Sequence, residues 1–149
     1  MSLQDPSSTT KVVQVLRAKD YVDTDPTGAE LVAIDTKGWR FCRIDIVSGT
    51  ITGGTLWTAT VQQSSDNGSS DAYANIESSP TAKTQVTFAD AADNTVKSVV
   101  IDCAAVERYL KLTVTNTGTW SASNLSATAT LFNPVDTDYL GTEVSGFYP

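Results

Sequence analysis

The chain contains no histidine. That removes the commonest general base at neutral pH, the Ser–His and Cys–His nucleophile pairs, and most transition-metal sites. Cysteine is almost as scarce: Cys42 and Cys103 are the only two, too few for a disulfide scaffold. Each lies inside an apolar-patterned segment and reads as a small core residue rather than half of a bridge or redox pair. Apolar runs are short, Val99 to Ile101 among them and none longer than four residues, which excludes a membrane-spanning helix, and no N-terminal apolar run precedes a cleavage site. Together these point to folding in a reducing cytoplasm.

Positive charge is also short. Ten Lys and Arg face seventeen Asp and Glu, a net charge of -7, and no basic stripe exists. Phosphate neutralisation needs clustered cations, so nucleic acid is not an expected partner. The distribution is uneven, with Lys11, Arg17, Lys19, Lys37, Arg40 and Arg43 in the first third and nothing basic after Lys111. An acidic tail of this kind could touch the more basic N-terminal part of a neighbouring copy.

What is abundant is alternation. Leu110, Leu112 and Val114 alternate with Lys111, Thr113 and Thr115, and Leu125, Ala127, Ala129 and Leu131 alternate with Ser126, Thr128 and Thr130. A period of two gives a strand with one dry and one wet face. With Gly118 and two Asn residues between them, the two strands read most simply as a β-hairpin with a medium-length loop. The same logic predicts strands at Val12 to Leu16, Leu31 to Ile34, Trp39 to Val47, Leu56 to Gln63, Tyr73 to Ile76, around Val86 and Phe88, and Val96 to Ile101. In the third of these Cys42, Ile44 and Ile46 share the dry face; in the fourth Trp57, Ala59 and Val61 do. Turn chemistry is read at Asp25-Pro26-Thr27-Gly28, from Ser48 to Gly54, from Ser64 to Ser70 and from Ala89 to Asn94. About nine strands spaced near ten residues apart, with only Ala104 to Arg108 able to make a helical turn, predict an all-β antiparallel two-sheet sandwich, jelly-roll or Greek-key like. Residues 1–10 form an N-terminal arm, 11–133 the sandwich, and 134–149 an extended C-terminal tail.

Candidate chemistry is thin. Asp23 with Asp25, Asp136 with Asp138, and Asp45 with Glu107 are carboxylate pairs of the kind glycoside hydrolysis uses, but acids in polar loops are far more often solvated. Asp66-Asn67-Gly68-Ser69-Ser70-Asp71 crowds oxygens around a Gly turn as a calcium loop does, yet lacks the closing bidentate Glu, and a plain loop is the better reading. No catalytic residue, no metal site and no cofactor follow from the sequence, and an enzyme is not expected. The candidates for partner binding are apolar side chains in segments without strand alternation: Leu3 in the arm, Trp120 in the loop after Gly118, and Tyr139, Leu140, Val144, Phe147 and Tyr148 in the tail; the alternative is that the tail wraps the chain's own sandwich and that Trp120 packs over its end. Trp120 could also serve as a platform for a sugar ring, whereas Trp39 and Trp57 read as core.

Four segments carry a resemblance: Val12-Val-Gln-Val-Leu16, Leu56-Trp-Thr-Ala-Thr-Val-Gln-Gln-Ser-Ser-Asp-Asn-Gly68, Arg108-Tyr-Leu-Lys-Leu-Thr-Val-Thr-Asn-Thr-Gly118, and Ala127-Thr-Ala-Thr-Leu-Phe-Asn-Pro134. Their layout resembles small structural proteins of tailed bacteriophage virions, with a strand ending in a Gln-Glu-Ser-Asp-Asp-Gly-like turn, an Arg-Tyr-hydrophobic strand followed by Thr-Gly, and a Pro-containing close. Gln63 stands where Glu is common in that pattern, and the tail beyond Pro134 is not covered. The resemblance implies a non-enzymatic virion component: a capsid decoration protein on the outside of a bacteriophage head, bound to the major capsid protein and to copies of itself as a trimer, assembled in the host cytoplasm. An acidic chain would repel packaged DNA, which favours the outer surface. The alternatives are a head-tail accessory protein and a carbohydrate-binding, host-adsorption module with a glycan as partner.

Overall fold

The computed structural model describes residues 10–21, 30–52, 56–78, 81, 83–89, 93–118 and 122–135. Nine strands carry them: β1 (Thr10–Tyr21), β2 (Ile34–Asp35), β3 (Trp39–Thr52), β4 (Leu56–Ser64), β5 (Ala74–Asn75), β6 (Gln85–Ala89), β7 (Val96–Asp102), β8 (Tyr109–Thr117) and β9 (Ala122–Pro134). Among the described residues there is no helix, and Ala104 to Arg108, the one stretch with helical potential, forms turns and bends.

The strands form two antiparallel sheets. One runs β1-β9-β3-β7; the other runs β2-β8-β4, with β5 and β6 sharing the far edge of β4. There β6 pairs along Leu56 to Thr60 and β5 along Gln62 and Gln63, so the two fill one strand position. Counted this way the first position pairs with the last (β1–β9), the second with the seventh (β2–β8), the third with the sixth (β3–β7) and the fourth with the fifth. A long antiparallel ribbon rolled into two facing sheets is a jelly roll. The fold is therefore an all-β two-sheet sandwich.

This topology overturns the predicted hairpin between Arg108 and Phe132. The register of β8 is with β4 and β2, while β9 lies between β1 and β3 in the opposite sheet. The connection after Gly118 crosses from one sheet to the other. Both apolar rows do face inward: Leu110, Leu112 and Val114 from one sheet, and Leu125, Ala127, Ala129 and Leu131 from the other, are all buried in the common core. Alternation reports which way side chains point, and it carries no information about the neighbouring strand.

Three further differences have local causes. The predicted strand from Leu31 to Ile34 is divided between the sheets. Leu31 bridges Leu16, the Val32 N–H donates to the Val15 carbonyl at 2.9 Å, and only Ile34–Asp35 joins β8. The predicted turn from Ser48 to Gly54 is strand as far as Thr52. A register shift between Ser48 and Ile51 absorbs Gly49 and Thr50, where a Cβ on Gly49 would lie 3.0 Å from the Asn124 Cβ, and the Asp93 carboxylate accepts the Ile51 N–H at 2.7 Å. In β1 two shifts, on either side of Leu16, let consecutive residues Val15 and Leu16 both be fully buried, which strict alternation forbids. The core otherwise follows the sequence pattern: Cys42, Ile44 and Ile46, Trp57, Ala59 and Val61, and Phe88 are buried, as is Trp39. Both thiols are free, and burial pushes the Cys42 thiol up to about 12 and the half-buried Cys103 up to about 11.

Candidate interaction surface

The outer faces of the two sheets are built from opposite materials. On β2-β8-β4-β6 the outward rows are Thr115–Thr58–Thr87, Thr113–Thr60–Gln85 and Lys111–Gln62–Asn75. Their polar groups bind one another: Thr113 donates to the Gln62 amide oxygen at 2.7 Å, Gln62 donates to Asn75 at 3.1 Å, and Gln85 donates to the Thr60 hydroxyl at 2.9 Å. Such a face is polar throughout and partly hydrogen-bonded within itself, which suits it to water.

On β1-β9-β3-β7 the rows are Thr10–Phe132–Phe41–Asp102, Val12–Thr130–Arg43–Val100 and Gln14–Thr128–Asp45–Ser98, followed by the triplet Ser126–Val47–Val96. Val12 is 66% exposed, Val96 59%, Val100 54% and Val47 38%. Of the six exposed large hydrophobic side chains among the described residues these are four, and a fifth, Val135, directly follows β9. Phe41 and Phe132 stack at 5.5 Å between ring centres. Near its centre Arg43 donates to Asp45 at 2.8 Å and to the Ser98 hydroxyl at 3.3 Å, and Thr and Ser side chains lie among the valines. Apolar area around a small paired-charge centre is what a protein partner can cover without stranding an ion.

Pairing of Thr10 with Phe132 and of Trp39 with Pro134 brings the two ends of the described chain to one end of this sheet. A cleft of about 340 Å³ opens at the same end, lined by Trp39, Arg40, Cys103, Val106, Arg108 and Val135 among others. Its walls are fixed by ion pairs. Arg108 makes a two-pronged contact with Asp35 at 2.8 and 2.7 Å, and Arg40 reaches Asp102 at 2.8 Å. The Arg108 guanidinium bonded to Asp35 holds that carboxyl below its ordinary value. Thr36 ties the turn to β8 by donating its N–H and its hydroxyl to the Arg108 carbonyl.

The loop between β4 and β5, also at this end, spends its oxygens on itself. The Asp66 carboxylate accepts the N–H groups of Ser69, Ser70 and Asp71, and the Asp71 carboxylate accepts the N–H and hydroxyl of Ser65. Those bonds lower both carboxyls, the backbone of Ser70 acting most on Asp66 and that of Ser65 on Asp71. Asn67 and Gly68 turn the chain with φ of 63° and 76°. Partial desolvation, then the neighbouring Asp71, raises Glu107. Among the described residues no group of three acids or cysteines is placed to hold a metal ion.

The sequence-derived candidates fall elsewhere. Leu3, Trp120, Tyr139, Leu140, Val144, Phe147 and Tyr148 all lie outside the described residues, as do Asp23, Asp25, Asp136 and Asp138. Asp45 and Glu107 are not brought together: Asp45 sits on the outer face of the four-stranded sheet, and the Glu107 N–H donates to Gln63 at the end of β4. The exposed valines lie on separate strands, and only the fold brings them onto one face. Val96 and Val100 flanking Ser98 on one side, with Val99 and Ile101 on the other, was the available signal.

No family model matches the chain, and no curated protein matches it. Among solved structures it is similar to a chain from Bacillus endospore appendages, which form disulfide-linked pili, with 12% identity over 90% of this chain and 97% of that one and a TM-score of 0.41. It is similar to a putative sugar binding protein from Bacteroides thetaiotaomicron, with 10% identity, 87% and 85% coverage and a TM-score of 0.42. It is also similar to the infectious bursal disease virus VP2 subviral particle, with 11% identity over 84% of this chain and 32% of that one and a TM-score of 0.43. Likenesses this distant say nothing of what this chain binds.

Proposed function

We propose that this protein is a non-enzymatic virion component, a decoration protein that binds the outside of a bacteriophage head and stabilises it by bridging subunits of the major capsid protein. The observation that carries the reading is the concentration of exposed valines and the Phe41–Phe132 stack on one sheet face, at one end of which the first and last described residues lie. The resemblance of the β-strand segments to tailed-phage virion proteins supplies the class of partner. The net charge of -7 favours the outer surface over contact with packaged DNA. Copies of the chain would meet as a trimer around a symmetry axis, each contributing the same face.

The test is reconstitution on heads that lack the protein. Val12→Asp with Val100→Asp places two charges where apolar contact is proposed. Occupancy should fall by about 100-fold, because burying an unpaired carboxylate costs several kcal/mol, while thermal stability changes little at such exposed positions. Removal of residues 1–9 or 136–149 should also reduce occupancy. Undiminished binding of the double variant would refute the reading; attachment to tails in place of heads would reassign it to a head-tail accessory.

A further inference from the structure

The two edges of the four-stranded sheet differ. At β7, Lys97 turns its ammonium inward to the Thr87 carbonyl and the Phe88 ring, which obstructs a strand laid alongside. At β1 the far side is taken up only in its later part. There the Val32 N–H donates to the Val15 carbonyl, the Arg17 N–H donates to the Glu30 carbonyl, and Leu31 bridges Leu16. The stretch from Thr10 to Gln14 lies before that cover and carries one charge, Lys11.

The direction of its backbone groups follows from the neighbouring ladders. The Cys103 N–H donates to the Arg40 carbonyl and the Ser48 N–H to the Thr95 carbonyl, so even-numbered residues of β3 bond to β7 and odd-numbered ones to β9. Phe41 lies opposite Phe132 and Arg43 opposite Thr130, so the even-numbered residues of β9 bond back to β3. Its odd-numbered residues Leu131 and Ala129 are left to bond Lys11 and Val13. Successive strand residues aim their N–H and C=O to opposite sides, so Thr10, Val12 and Gln14 aim theirs away from β9. Among the described residues none bonds to Val12 or Gln14 on that side, and the Val12 side chain is 66% exposed.

We infer that β1 pairs antiparallel with β1 of a second copy about a two-fold axis at Val12, joining two four-stranded sheets into one of eight. Charge and cover select this register. An axis at Lys11 would set two ammonium groups face to face, and one at Val13 would lay the partner's chain against Val15, whose carbonyl already accepts Val32. With the axis at Val12 the contact keeps to residues 10–14: Val12 exchanges both backbone bonds with its counterpart, Lys11 lies opposite Val13, and Thr10 opposite Gln14. The two exposed Val12 side chains then meet as an apolar cross-strand pair. A two-fold contact uses the same edge on both copies and closes on itself, leaving the edges guarded by Lys97 outermost. The contact is made by the sheet edge and is measured without heads, so it stands or falls apart from the capsid reading, to whose three-fold arrangement it adds a two-fold one.

Sedimentation equilibrium of the full chain from about 20 μM to about 1 mM should show self-association, in the weak range expected of a contact this small. Gln14→Pro should weaken it by about 10-fold or more, because proline removes an N–H that faces away from β9 and leaves the ladder within the sheet intact. Gln14→Ala should leave it within a factor of about two. A second measurement needs no proline. Val12→Cys should link to its counterpart under copper phenanthroline, above the background that Cys103 gives in the parent, since the Cα atoms of a hydrogen-bonded pair lie about 5.5 Å apart. Gln14→Cys should not, its counterpart being displaced by four residues, about 13 Å along the strand. A chain still monomeric at about 1 mM, an association that a folded Gln14→Pro variant leaves unchanged, or linking of Gln14→Cys as readily as of Val12→Cys would each overturn the inference.

Discussion

The outer surfaces of the two sheets teach more by contrast than either does alone. Both belong to strands of the same alternating pattern, and both close over one core. Yet Thr60, Gln62, Thr113 and Gln85 give one surface a hydrogen-bonded polar lattice, while Val12, Val47, Val96 and Val100 leave the other dotted with apolar area. Selection for solubility alone would favour the first arrangement on both sides. The edge strands tell the same story. Lys97 on β7 points inward, lies 5.1 Å from the Phe88 ring centre and donates to the Thr87 carbonyl, a charged guard against pairing with another sheet edge. The four-stranded sheet is thus protected at that edge and open across its face.

The largest effect should come from the layer that both surfaces share. Leu112→Ala, at a fully buried site, should cost about 2–5 kcal/mol in denaturant unfolding and abolish the contrast by unfolding both sheets together. Next, single carboxylates should separate the faces. Val100→Asp should weaken attachment to heads by about 10-fold or more, whereas Thr115→Asp on the polar lattice should leave it within a factor of about two. Equal losses would erase the distinction drawn here. Gly68→Ala should then cost about 1–2 kcal/mol, since φ there is 76° and the new Cβ would lie 3.1 Å from the Tyr73 ring; head binding should be spared. The smallest effect concerns Asp35, whose carboxyl is lowered chiefly by the Arg108 hydrogen bond. A carboxyl with a folded value below its unfolded value contributes stability above pH of about 3.8, and loses it as pH falls through the folded value. With side chains 44% and 35% exposed, the pair is worth only about 0.2–1 kcal/mol, and Asp35→Asn should flatten the acid limb of a stability profile by that amount.

The sheet faces were legible from the sequence, while partners and ends were not. Cys42, Ile44 and Ile46, or Trp57, Ala59 and Val61, announce their burial because β-strand side chains alternate and each of these segments keeps strict period. Nothing in that period says that β8 must leave β9 and pair with β4, since register and neighbour are chosen by long-range packing. Gly49 looked like a turn because Gly and Ser often make one. Here the Asp93 carboxylate and a close approach to Asn124 hold the strand through it. The candidate surface is less legible still: Phe41, Arg43 and Asp45 lie opposite the dry row of β3, and their meaning depends on Val12, Val100 and Phe132, brought beside them from distant segments.

The pairing of the first strand with the last has a consequence for synthesis. Both neighbours of β3 in its sheet, β9 and β7, are made after it, and β1 waits for β9, the last of the described strands to be translated. No half of this ribbon can close by itself, so the nascent chain emerges with unmated strands and completes its fold only once Pro134 has cleared the ribosome. On a crowded polysome, sister chains carry the same open strands, and exchange of β9 between them would link two copies by the contacts that otherwise close one.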